Sequence, residues 1–153
     1  MALKDYVKNL TWDDVKHLDS EFNFTSIVDL PTQYDAILYI VIINKTGQNK
    51  YVGFDTKGFD GTYIGSPVKN KKQFLKDIAE YDWKCICIAY GDKGTMASSE
   101  NEILTYVDAK NPNNTYYNAS NGGSRFMKGL KSSEICEKIK SKLKNNEYEK
   151  VLE

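Results

Sequence analysis

The sequence predicts a small α/β domain, and three observations carry that reading. Two apolar runs, YDAILYIVII at 34–43 and WKCICIAY at 83–90, are rich in β-branched and aromatic residues and read as buried strands. YVGF follows the turn residues NKTGQNK and reads as a strand returning in a hairpin. Apolar residues then recur at helical spacing, first as Phe74, Leu75 and Ile78, later as Met96, Ile103, Leu104 and Val107. The expected architecture is a mixed or antiparallel sheet of about three strands flanked by helices, with short helical extensions at each end.

Each element has a local reason. Thr11 can cap a helix beginning TWDD, with Asp13 and Asp14 at its positive end and Trp12, Val15 and Leu18 as its apolar face. DTKGFDGTYIGSP holds three glycines and a proline, which marks a loop or a short irregular strand. Asn70 can cap the next helix, which carries Lys71, Lys72 and Lys76 beside its apolar residues. Trp83–Tyr90 is closed by Gly91, and a second core helix follows Gly94. Asn111, Pro112, Asn113 and Asn114 end it; YYN is a short extended piece and SNGG a turn. Ile135, Ile139 and Leu143 lie four apart within 132–152, which predicts an amphipathic terminal helix. The chain thus divides into an N-terminal extension (1–33), a central domain (34–123) and a C-terminal helix (124–153).

Composition limits the function classes. Among 153 residues, 41% are hydrophobic, enough for one core. No stretch approaches a membrane span, and Asp5 and Lys8 interrupt the start where a signal peptide would need an apolar run, so a soluble, cytoplasmic protein is expected. The three cysteines lack metal spacing; Cys85 and Cys87 alternate within a strand and read as buried side chains. Lysine plus arginine and aspartate plus glutamate each number 21, distributed as net −4 over 1–36, +1 over 37–124 and +3 over 125–153. That balance argues against a protein coating nucleic acid by bulk charge, while leaving room for a local basic groove.

One side chain breaks the pattern. If the second core helix starts at Thr95, Glu100 falls on the stripe of Met96, Ile103, Leu104 and Val107. A carboxylate on a core-facing stripe costs several kcal/mol unless it is paired, hydrogen-bonded or bound to a metal, on the order given for buried charge. The alternative is a helix starting at Ser99, with Glu100 exposed in its first turn and Ser99 and Glu102 as a capping box.

The order of the pieces adds to this. ILY at 37–39, YVG at 51–53, a Gly-rich stretch ending YIGS, a lysine-bearing helix, an apolar strand, ENxxL, and YYN before SNGG together resemble the GIY-YIG nuclease superfamily, in its phage and homing-endonuclease branch. The resemblance covers 34–123 and implies a metal-dependent DNA endonuclease. It implies catalytic roles for Tyr39 and Tyr51 facing the scissile phosphate, for Glu100 as ligand of one Mg²⁺ or Mn²⁺, and for Asn118 as a supporting residue. All four should then converge on one concave surface.

Within that reading, Tyr51 is the base or water orienter and Tyr39 its hydrogen-bond partner, or the reverse. A phenol titrates near 10, so either role needs a metal, a cation or a water chain to lower it. Gly53 matches the last glycine of the signature, where a missing Cβ allows close approach. The family's arginine on the helix after YIG has no counterpart, since Arg125 is the chain's only arginine. Lys69, Lys71, Lys72 and Lys76 could supply the charge to substrate but not the bidentate fork. The competing reading is a binding or inhibitory module that keeps the fold without hydrolysis. His17, alone in its type, reads as a surface residue.

Overall fold

The computed structural model describes residues 2–18, 24–46, 48–56 and 68–121. The expected terminal helix, SNGG beyond Asn121, Arg125, Cys136 and most of the Gly-rich loop lie outside the described residues. In chain order the elements are α1 (Leu3–Asn9), α2 (Trp12–Val15), β1 (Phe24–Ser26), β2 (Ala36–Ile43), β3 (Asn49–Asp55), α3 (Lys71–Glu80), β4 (Trp83–Gly91) and α4 (Lys93–Val107).

Among the described residues the sheet has four strands, not about three, in the order β1-β4-β2-β3. The hairpin β2–β3 is antiparallel, β4 lies antiparallel on the other side of β2, and β1 adds to β4 in parallel. The fourth strand therefore comes from the segment read as a helical extension. Three residues, Phe24–Ser26, are too few for a period to be visible, and their partner is distant in sequence.

Every residue of β2 is buried, because helices cover both faces of the sheet. Ile37, Tyr39, Val41 and Ile43 share one layer with Tyr51, Cys85 and Cys87 and with Phe74, Leu75 and Ile78 of α3. Leu38, Ile40 and Ile42 share the opposite layer with Val52, Ile86 and Ile88, with Met96, Ile103 and Leu104 of α4, and with Val7, Leu10 and Val15 of the N-terminal segment. The two helices thus sandwich the sheet. Cys85 and Cys87 are buried thiols with no disulfide between them, as the alternation implied.

Both core helices begin on a side-chain cap. Asn70 accepts from the Gln73 N–H at 3.1 Å, and Asp92 accepts from the Thr95 N–H at 2.9 Å. With Asp92 as cap, α4 starts at Lys93, two residues before Thr95, so Glu100 lies in the helix interior and the Ser99–Glu102 box does not arise. Asp108, in the left-handed region at φ 48°, ends α4, and the Ala109 N–H returns to the Leu104 carbonyl. At the N-terminus, Thr11 is the N-cap of α2 as expected, but the bonds run from its N–H and hydroxyl to Asp14 Oδ2 at 2.9 and 3.0 Å, and that helix runs only to Val15.

A buried lysine ties the N-terminal segment to the sheet. Lys50 on β3 is 2% exposed, and its ammonium donates to the carbonyls of Val7 and Lys8 at 2.6 and 3.1 Å, in the last turn of α1. Its Nζ also lies 5.7 Å from the centre of the Tyr116 ring. Burial pulls its pKa from 10.5 down to about 8, with the Asp14 carboxylate opposing the shift. Between those two values the unfolded chain holds a proton that the folded chain has released, so stability rises with pH across that window. Urea unfolding of wild type and Lys50→Met at pH 7.5, 8.5 and 9.5 should show the wild type gaining on the variant at each step.

Candidate functional site

The structure brings three of the four implied catalytic residues to the β2–β3 pair. Tyr39 and Tyr51 lie on neighbouring strands and point into the α3 layer, their ring centres 6.4 Å apart. The row continues from Tyr51 to Phe74 at 5.8 Å and from Phe74 to Tyr117 at 5.1 Å. Both tyrosines are 1% exposed, which makes this an aromatic core layer closed to bulk water.

Asn118 arrives from the far end of the domain. The segment after α4 runs along the free edge of β3, with the Lys50 N–H donating to the Thr115 carbonyl and the Tyr117 N–H to the Lys50 carbonyl. Beyond it the Asn118 side chain acts like one more residue of the ladder. Its Oδ1 accepts from the Val52 N–H at 3.0 Å, and its Nδ2 donates to the Val52 carbonyl at 2.8 Å. Val52 is the residue between Tyr51 and Gly53. Asn118 is thus joined to the YVG strand across 66 residues of sequence.

Gly53 has a packing reason for lacking a side chain. It sits opposite Tyr39 in the hairpin register, and a Cβ there would overlap Cζ and Oη of the Tyr39 ring and come within 2.6 Å of its Cε2. Gly53→Ala should therefore cost about 1–3 kcal/mol, the usual range for overpacking. In a Tyr39→Leu background, where no ring crosses position 53, the same change should cost much less. A double-mutant cycle by denaturant unfolding measures that coupling.

Glu100 stands apart from the tyrosines. It lies in α4 beside the buried Met96, Ile103 and Leu104, and α4 packs on the sheet face opposite α3. Its side chain is half-buried. The sheet therefore separates Glu100 from Tyr39 and Tyr51, and the four residues do not line a single cleft. Among the described residues no group of three or more His, Cys, Asp or Glu could hold a metal. Magnesium does not require one: it is commonly held by one or two carboxylates, with water and phosphate oxygens completing its shell. Glu100 fits that mode as a single ligand.

The lysines divide by position. Lys72 and Lys76 are exposed on α3, while Lys69 just before it turns inward. Its ammonium donates to the Asn111 carbonyl at 2.6 Å and to Asn114 Oδ1 at 2.7 Å, and partial burial lowers its pKa. Lys71 opens α3.

Beside the aromatic row lies a polar centre that the sequence reading missed. Asp77 of α3 is 1% exposed and receives three donors: Tyr117 Oη at 2.8 Å, Gln73 Nε2 at 2.7 Å and Lys45 Nζ at 3.3 Å. Burial, and then the Asp77 carboxylate, raise the Tyr117 pKa. Asn70, Gln73 and Asp77 recur at three and four residues, a polar stripe adjoining the apolar one, which was the available signal. Comparison with protein-family models, curated proteins and solved structures finds no significant match.

Proposed function

We propose that the chain is a GIY-YIG-type domain acting on DNA as a metal-dependent endonuclease. The observation that carries this reading is the docking of YYN on YVG: Asn118 grips Val52 between Tyr51 and Gly53, joining pieces of the signature 66 residues apart. A hairpin, a lysine-bearing helix, a strand returning antiparallel to the hairpin and a helix carrying Glu100 complete the succession. Glu100 would hold one Mg²⁺ or Mn²⁺, which when bound polarises a phosphoryl oxygen and lowers the pKa of a coordinated water. The exposed Lys72 and Lys76 of α3 are candidates to face the substrate phosphates, whereas Lys69 is engaged by Asn111 and Asn114. The buried tyrosines support the strand pair, and either phenol can orient water only if the α3 layer opens to substrate.

The separation of Glu100 from the tyrosines favours a second reading, a binding or inhibitory module on the same fold. Nicking of supercoiled plasmid with Mg²⁺ or Mn²⁺, beside thermal melts with and without the ion, distinguishes them. A nuclease nicks DNA and shifts its melting temperature with metal. A protein that does neither is the module.

A further inference from the structure

A cleft of about 360 Å³ opens between the hairpin turn, the start of α3 and the loop after α4. It falls within the size of small-ligand sites, roughly 300–1,000 Å³. Three lysines from three separate segments line it, Lys45, Lys69 and Lys110, together with the amides of Asn49 and Asn70. Among the described residues its one acid is Asp77, so their lining carries a formal net charge of +2 on a chain whose total is zero. Asp77 is 1% exposed and accepts from Tyr117, Gln73 and Lys45.

The loop that carries Lys110 is fixed by several bonds. Asn114 Nδ2 donates to the Asp108 carbonyl at 2.6 Å, Asn121 Nδ2 to Asp108 Oδ1 at 2.9 Å, and the Lys110 N–H to Asn121 Oδ1 at 2.8 Å. Lys69 holds the same loop through Asn111 and Asn114. Lys110 itself is exposed. The cation at the rim is therefore mounted on a preorganised support, which reduces the ordering cost of binding.

We infer that this cleft is a docking site for a backbone phosphate of DNA, with Lys110 as its cationic contact, Lys45 held beside it by Asp77, and Lys69 as the residue that positions the loop. The inference rests on the DNA-directed reading above. It adds a contact surface outside the Tyr39, Tyr51 and Glu100 set, formed by residues from Lys45 to Tyr117. Cations and amide donors around one small cleft suit a phosphate held by charge and hydrogen bonds, a mode that positions a duplex without reading its sequence.

The test is binding of a labelled DNA duplex by fluorescence anisotropy over a salt series, in EDTA so that no cleavage occurs. Lys110→Ala should flatten the slope of log affinity against log salt by about one unit, the effect of one lost phosphate contact. Lys110→Glu should weaken binding further, and Lys93→Ala, exposed at the start of α4, should leave it unchanged. If wild type binds DNA and Lys110→Glu keeps both affinity and slope, the cleft assignment falls and the DNA reading stands. If wild type binds no DNA, both fall. Displacement of the duplex by a free mononucleotide at equimolar concentration would make the cleft a small-molecule site and overturn DNA docking.

Discussion

Asn118→Leu is expected to lower the stability of the domain by about 2–6 kcal/mol, because it leaves two buried backbone groups unpaired at about 1–3 kcal/mol each. The side chain is 4% exposed and makes two bonds to one residue, accepting from the Val52 N–H and donating to the Val52 carbonyl. Leucine keeps the number and branching of the side-chain heavy atoms and is somewhat larger, so the loss reports broken hydrogen bonds with some crowding and not a cavity. Asn118→Asp should fall between the two. It keeps an acceptor for the Val52 N–H, but an ionised carboxylate has no donor for the Val52 carbonyl and places negative charge against it. Denaturant unfolding should therefore rank wild type above Asp and Asp above Leu, with the Asp variant recovering at low pH once its protonated carboxyl can donate. Equal stability of Leu and wild type would mean that the C-terminal segment docks on β3 without Asn118.

Elements with a local signal were legible in the sequence. Asn70 and the Phe74, Leu75 and Ile78 spacing placed α3, and the apolar runs placed β2 and β4, because caps and periodicity act within a few residues. The Met96, Ile103 and Leu104 stripe placed the helix that buries them, although its cap, Asp92, lies upstream of the assumed start at Thr95. Long-range pairing was not legible. β1 depends on parallel bonds to β4, and Phe24, Thr25 and Ser26 carry no pattern that announces them.

The arrangement of the candidate site was hidden for a related reason. A strand buried on both faces reads AILYIVII throughout, so nothing in it says which helix covers which face. Tyr39 and Glu100 could be matched to a signature one by one, yet their relation across the sheet depends on how α3 and α4 divide its two sides. The Asp77 centre went unread because its partners, Lys45 and Tyr117, come from segments 32 and 40 residues away.

Glu100→Gln is expected to have the largest effect on activity. If the domain hydrolyses DNA, the variant should lose metal-dependent nicking by about 10²-fold or more, the scale for removing a group that stabilises developing charge. Glutamine keeps the length and shape of glutamate but not the negative charge that holds a hard divalent cation. The side chain is half-buried in the interior of α4, away from the cap at Asp92, so the helix should survive the change. Melting without metal should then match wild type or rise slightly, since one half-buried charge is removed. The upward shift in melting temperature expected of a wild-type nuclease with Mg²⁺ should disappear, because an ion bound only by the folded state stabilises it by mass action. The module predicts a different pattern: no nicking by either protein, no metal-induced shift in either, and partner binding unaltered by the substitution. Loss of nicking with the metal-induced shift retained would separate the two roles, showing an ion held elsewhere and Glu100 acting on the substrate or its water.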